Sequence, residues 1–243
     1  MSRSQFHVGC AGWAIRKEHA ALFPTSGSHL ERCAQLFNAV EINSSFYRPH
    51  RRSTYERWAA AVPNDFAFAV KAPKEITHGL RLARTGAVLD AFLAEATGLG
   101  EKLGSILFQL PPKLAFEPRV ARCFFADVRA RFQGGVVCEP RHQNWFTAPA
   151  DDLLKEFRVG RVAADPAVVA AAAEPGGWHG VTYFRLHGSP RMYYSEYGAD
   201  RIEQYARQLA TRDQACWCIF DNTAHGAATA DALALKERLD AGA

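Results

Sequence analysis

Short runs in which apolar and β-branched residues predominate recur along the chain, and each stops at polar or turn-forming residues. They are FHVGCAGW (6–13), AVEINSSF (39–46), FAFAVKAP (66–73), GSILFQLP (104–111), GVVCEPRH (135–142), GRVAADP (160–166), VTYFRLHG (181–188) and ACWCIFDNT (215–223). Between them lie stretches with helical spacing of apolar positions: 28–37, 53–62 with Ser53 as the N-cap, 86–97, 118–132, 150–157, a weak Ala-rich turn after Pro166, 199–210 and 228–239. Strand-like runs that alternate with helix-like ones are the pattern of parallel βα units. Eight such units in 243 residues match the size of a closed (β/α)8 TIM barrel, and predict an α/β chain of one domain spanning residues 1–243. An open doubly wound sheet is the alternative. It would show a glycine-rich phosphate turn after the first strand, and GCAGW is neither a Walker loop nor GxGxxG. The glycines of GLGEKLG (98–104) precede a strand, and are read as a helix C-cap and loop.

Alternation along each strand turns sequence parity into geometry. Glu41 and Asn43 share one face of the second run while Val40 and Ile42 take the other. If the aliphatic pair meets the helices, the polar pair points into the barrel. By the same rule Lys71 lies in phase with Ala67 and Ala69, Glu139 with Arg141, Arg185 with His187, and Asp221 with Trp217 and Ile219, while Gln109 lies opposite Phe108 and Leu110. Asp165 closes the sixth run. Active sites of such barrels sit at the C-terminal ends of the strands. These groups should therefore converge on one mouth, lined by Trp13, Phe46, Tyr47, Trp145, Tyr193 and Tyr194 from the loops that follow.

Composition adds modest constraints. With 48% hydrophobic and 22% charged residues the chain is ordinary globular material. Its formal net charge of +4 tilts it toward anionic partners without the basic excess of a histone-like protein. The six cysteines, Cys10, Cys33, Cys123, Cys138, Cys216 and Cys218, form no pair of CxxC motifs and read as reduced thiols. The N-terminal residues lack the charged start and apolar run of a signal peptide, and no stretch of about 18 apolar residues occurs. A cytoplasmic location with no membrane partner is expected; oligomeric state is left open.

The ordered motifs resemble those of the YecE-like proteins, the family known as domain of unknown function 72. The resemblance rests on GxxGW at 9–13, VEINSSFYRP at 40–49, FAVKAPKEITH at 68–78, LFQLPP at 107–112, CEPRHQNWF at 138–146, YFRLHG at 183–188 and FDNTAHGAATADALALK from 220. It implies a TIM barrel and no established activity. Two positions depart from the family's usual wording. Pro140 stands where an aromatic is common, and Asp221 where Asn is frequent.

The residue types suggest chemistry as well as architecture. Glu139 is the candidate general acid or base, with Glu41 and His187 assisting. Lys71, Arg141 and Arg185 are candidates for holding an anion, Asn43, Gln109 and Asn222 for orienting it, and Tyr47, Trp13 and Trp145 for stacking on a ring; Asp221 completes the set. The expected ligand is an anionic, phosphate-bearing sugar, nucleotide or oligonucleotide, handled by hydrolase- or lyase-like acid/base chemistry. A non-catalytic nucleic-acid-binding barrel and a glycosidase acting on neutral sugars are the alternatives. No cofactor is expected. A divalent metal on Glu41, Glu139, His187 and Asp221 is disfavoured by the three cations beside them. If the strand-end charges serve a ligand more than the fold, Glu41→Gln or Arg185→Met should cost less than about 1 kcal/mol, against about 3 to 5 kcal/mol for breaking a buried ion pair.

Overall fold

The computed structural model describes residues 6–212 and 214–242. Its strands are β1 (Phe6–Cys10), β2 (Ala39–Ile42), β3 (Ala67–Lys71), β4 (Leu103–Gln109), β5 (Gly135–Glu139), β6 (Gly160–Arg161), β7 (Ala163–Asp165), β8 (Gly176–Gly177), β9 (Thr182–Leu186) and β10 (Cys216–Phe220). One parallel ladder runs β2-β3-β4-β5-β6 and another β1-β10-β9-β7. The two join at both ends. The strands β6 and β7 are halves of the sixth run, parted at Val162, whose amide donates to the Cys138 carbonyl at 2.8 Å. At the other seam a parallel bridge links Ala11 to Glu41, and the Gly12 amide donates to the Glu41 carbonyl at 2.8 Å. The eight runs thus close a (β/α)8 barrel in chain order. The remaining strand, β8, adds only a short antiparallel pairing to β6.

Among the described residues seven α-helices surround the barrel: α1 (His29–Cys33), α2 (Arg52–Ala60), α3 (Gly86–Ala96), α4 (Pro118–Arg131), α5 (Ala148–Glu156), α6 (Ala199–Ala210) and α7 (Ala227–Ala241). The sixth unit has only the 3-10 turn Ala170–Ala173, where the sequence is Ala-rich and weakly patterned. The helix α1 starts with a capping box: the Glu31 amide donates to the Ser28 hydroxyl, and the Ser28 amide donates to the Glu31 carboxylate. The expected Ser53 cap is displaced, since α2 starts at Arg52 with Arg51 as its uncapped N-cap residue. Arg52 instead fastens the helix sideways, donating to Glu56, to the Ala94 carbonyl and to the Thr97 hydroxyl. The GLGEKLG segment is largely a 3-10 turn, Thr97–Lys102, broken where Gly100 takes φ 58°.

The two faces of the strands build separate cores. Toward the helices, Val40, Ile42, Phe68, Val70, Ile106, Phe108 and Val136 pack with the inner faces of α2 to α5. Val8, Cys10, Phe184, Leu186, Cys216, Cys218 and Phe220 pack with α6 and α7. Inside the barrel, Ala39, Ala69, Leu107, Val137, Val162, Tyr183, Trp217 and Ile219 fill the axis. Trp217 lies flat against Tyr183, ring centroids 5.7 Å apart and planes within 9°. The axis is therefore largely apolar at its base, where His7 stacks on Trp217 with centroids 4.5 Å apart, and the carboxylates and cations of the inward face lie toward its C-terminal end.

Two outcomes test this architecture. A Cβ at Gly9 would fall within the Ala39 carbonyl oxygen at the seam, where only backbone could move. Gly9→Ala should lower stability by about 3 kcal/mol, read as a fall in the urea midpoint. All six cysteines are free and only Cys123 is exposed. An aromatic disulfide reagent should label one thiol in the native protein and six after unfolding.

Candidate active site

Strand geometry delivers a guanidinium to the barrel axis. Arg185 projects inward from β9 with 0% exposure, so each of its N–H groups must find a partner within the protein. Its Nε donates to Glu41 Oε2 at 3.0 Å and Nη2 to Glu41 Oε1 at 2.7 Å, a bidentate pair. A second Nη2 proton goes to Asp221 Oδ2 at 2.9 Å. Nη1 donates to Glu139 Oε2 at 2.6 Å and faces His187 Nε2 at 3.5 Å. Carboxylates from β2, from β5 and from just beyond β10 thus meet on one cation, and Tyr183 donates to Glu41 Oε2 at 2.8 Å. The opening polar pair of the second run has a defined place, with Glu41 at the floor and Asn43 half-buried above it.

Beside this hub lies an acid/base constellation. His187, fully buried, has Nδ1 3.0 Å from Asp221 Oδ2; the carboxylate can only accept, so Nδ1 carries a proton. Its Nε2 sits 3.0 Å from Glu139 Oε1 and 2.9 Å from Arg141 Nη2. A neutral ring accepts there from Arg141, and an imidazolium donates to Glu139. Arg141 Nε pairs with Glu139 Oε1 at 2.8 Å, and Gln109 Nε2 donates to the same oxygen at 3.3 Å. Burial pushes the Glu139 carboxyl up, but Arg141, Arg185 and His187 override it and hold it well below the usual carboxylate range. Burial likewise raises Asp221, and Arg185, His187 and Lys71 bring it down overall.

Lys71 stands apart. It is only 7% exposed, its Nζ lies 4.2 Å from the centre of the Phe46 ring, and among the described residues no hydrogen bond or ion pair holds its Nζ. Burial, joined by the charge of Arg185, drives it below the usual lysine range against the pull of Glu41, Glu139 and Asp221. Arg141 Nη1 is likewise without a partner among the described residues. At the rim, Tyr47 is 79% exposed and meets Phe46 edge-on at 5.0 Å. Trp13 is half-buried and edge-on to Trp58 at 5.0 Å, which aims it partly into the helix layer. Tyr193 covers His187 edge-on at 5.7 Å.

Several expected site residues face elsewhere. Trp145 is buried between the barrel and its helices, donating from Nε1 to the Leu114 carbonyl at 2.9 Å, so its ring is no stacking platform at the mouth. Asn222 donates to the Ser195 carbonyl at 2.9 Å and to Asp231 Oδ2 at 2.7 Å, which ties the loop before α6 to α7. Asp165 accepts from the Tyr197 hydroxyl at 2.8 Å and pairs with Arg201. Arg185 has no donor left for an incoming anion. Sequence reading passed over Tyr183, although it lies two residues before Arg185 and so on the same inward face.

The fold and this site define a (β/α)8 barrel with an ion-pair lattice at the C-terminal ends of its strands. The family model described as protein of unknown function DUF72 matches residues 7–243, and the chain belongs to that family. It is similar to UPF0759 protein YunF of Bacillus subtilis (strain 168), 24% identical over 96% of this chain and 94% of that protein. UPF0759 protein YecE of Escherichia coli (strain K12) is 30% identical over 68% of this chain and 61% of its own length. Crystal structures of DUF72 family proteins share the fold: one from Enterococcus faecalis V583 at TM-score 0.82 and 19% identity, covering 97% of this chain and 95% of that one, and one from Thermotoga maritima MSB8 at TM-score 0.79 and 19% identity, covering 97% and 99%. No helix among the described residues is long and apolar enough to cross a membrane.

The geometry reverses the expectation that the strand-end charges matter little for stability. Arg185→Met strands three carboxylates and should cost about 3 to 5 kcal/mol in urea unfolding, whereas Lys71→Met leaves no ion pair broken and should be neutral or stabilising. The depressed Glu139 and Asp221 carboxyls also fix a sign. Their contribution is complete above about pH 5, where the unfolded chain's carboxyls are ionised, and is lost as pH falls through the lower folded values. Through these two groups, urea midpoints should therefore drop between pH 5 and pH 3. Asp231, pushed up to about 6 chiefly by burial, works in the opposite direction between its folded and unfolded values.

Proposed function

We propose that this barrel is an enzyme of hydrolase- or lyase-like acid/base chemistry acting on a small anionic, phosphate-bearing ligand of the sugar or nucleotide type. One observation carries the reading. An imidazole anchored through Nδ1 on Asp221 holds its Nε2 between Glu139 and Arg141, beside the two cations of the cluster that keep unused donors. In that arrangement His187 and Glu139 exchange a proton across 3.0 Å, Arg141 Nη1 grips the anion, and Lys71 is a second donor for it. Asn43 and Gln109, half-buried above the lattice, orient the ligand, and Tyr47 covers its exposed side.

The same geometry weighs against the rivals. A glycosidase on neutral sugars needs two carboxylates facing the scissile bond, and here Glu41, Glu139 and Asp221 all turn onto Arg185. A divalent metal would have to take those oxygens from the guanidinium, and among the described residues no group of three or more acidic, His or Cys side chains is arranged to hold one. For an oligonucleotide the basic run at the mouth is Arg48, Arg51 and Arg52, and Arg52 is already engaged with Glu56, Ala94 and Thr97.

Calorimetric titration with sugar phosphates and nucleotides tests the reading. Binding should require the phosphate and should weaken tenfold or more, about 1.4 kcal/mol, in Arg141→Met. His187→Gln should keep binding and lose turnover. Phosphate esters that bind Arg141→Met as well as the wild type would sink this assignment, and salt-dependent binding of a short oligonucleotide alone would replace it with the nucleic-acid reading.

A further inference from the structure

Lys71 is the one member of the inward charge cluster that the lattice does not use. Three carboxylates, Glu41, Glu139 and Asp221, are met by Arg185 and Arg141 through direct bonds. His187 places one nitrogen on Asp221 and the other on Glu139, each at 3.0 Å. None of these contacts involves Lys71. Meanwhile the lysine ends β3, points into the barrel, and rests its Nζ on the Phe46 ring at 4.2 Å. Its stem is positioned from behind, because Ser45 Oγ donates to the Lys71 carbonyl at 2.7 Å and thereby ties the end of β3 to the loop after β2. A buried amine, held at the mouth end of a barrel strand and free of any carboxylate partner, is arranged as a nucleophile more than as a counter-ion.

We propose that Lys71 forms an imine with the carbonyl carbon of an aldehyde or ketone substrate whose anionic group is held by Arg141. This rests on the acid/base reading above, moves Lys71 from second anion donor to nucleophile so that Arg141 holds the phosphate, and narrows the substrate to a phosphate-bearing carbonyl compound, an open-chain sugar phosphate being the simplest case. The amine nitrogen adds to the carbonyl carbon, and the C–O π pair moves to oxygen. The two amine protons leave with that oxygen as water, so a C=N bond replaces C=O with no change of oxidation state. A proton taken up from solvent by that nitrogen makes it an iminium, which withdraws electrons from the adjacent carbon, and this is the activation a lyase-like step requires. Burial first, and then the charge of Arg185, shift the amine below the usual lysine range against the pull of Glu41, Glu139 and Asp221; His78, which meets Phe46 edge-on at 5.1 Å, is likewise pushed down, chiefly by burial.

Reductive trapping tests this on the intact protein. With dihydroxyacetone phosphate and sodium cyanoborohydride at neutral pH, the reductant delivers hydride to the iminium carbon and fixes a secondary amine. Peptide mass mapping should find the adduct on Lys71 at tenfold or more over Lys17, Lys74 and Lys113, saturating with the ketone and absent from Lys71→Met. Calorimetry with the same ketone separates the two claims. Binding without an adduct on Lys71 overturns the imine and leaves the anion site standing, whereas no binding counts against the site reading itself. Trace labelling with acetic anhydride across pH reads the amine without any substrate. Lys71 should reach half-maximal labelling at a lower pH than the surface lysines, and a Lys71 profile that coincides with theirs overturns the proposal whatever the ketone does.

Discussion

The structure turns on a cation that cannot reach water. Four of the five N–H groups of Arg185 are taken by carboxylate oxygens from three different strand ends. A charge so placed is tolerable only if the barrel closes in one register, because a slip of any contributing strand would leave either the guanidinium or a carboxylate buried alone. The apolar residues below it would pack in other arrangements at modest cost, since hydrophobic contact is not directional. The ion lattice is directional, and it therefore specifies the fold more than it strengthens it.

That constraint also sorts the mouth into fixed and available groups. Arg185, Glu41 and Tyr183 saturate one another, and they form the floor. Above them, His187, Glu139 and Arg141 share contacts that have two proton arrangements, and Lys71 has none to share. The proposed function draws on the residues that the lattice satisfies incompletely. The groups proposed as acid, base and anion donor are pre-organised, because the bonds that hold them exist before any ligand arrives.

Much of this was legible in the sequence. Eight strands and the inward parity of Glu41, Lys71, Glu139, Arg185, His187 and Asp221 follow from period-two alternation, which survives folding because a strand has only two faces. Parity says which side a residue faces and nothing about its partner. Arg185 therefore looked like a ligand donor when four of its five donors were engaged by carboxylates. Loop residues carry no such period, and that is why Trp145 was expected at the rim and lies in the helix-side core. Asn222 shows the limit at a strand's end: two residues past β10 the alternation lapses, and the side chain turns to Ser195 and Asp231. The displaced start of α2 has a similar cause, since Arg52 is fixed by partners at Ala94 and Thr97 that are remote in sequence.

The flat pairing of Trp217 on Tyr183 has a consequence of another kind. It is a bung across the barrel axis, with Ile219 and Leu107 beside it, and it sits directly beneath the hydroxyl that touches Glu41. The cavity at the opposite end of the barrel, about 610 Å³, reaches Trp217 but is lined by none of the charged tier. A relative that must accommodate a larger molecule has no room to deepen its pocket without breaching this plug and wetting the ions from below. Room for a different ligand in this fold is therefore made most readily in the loops above the tier.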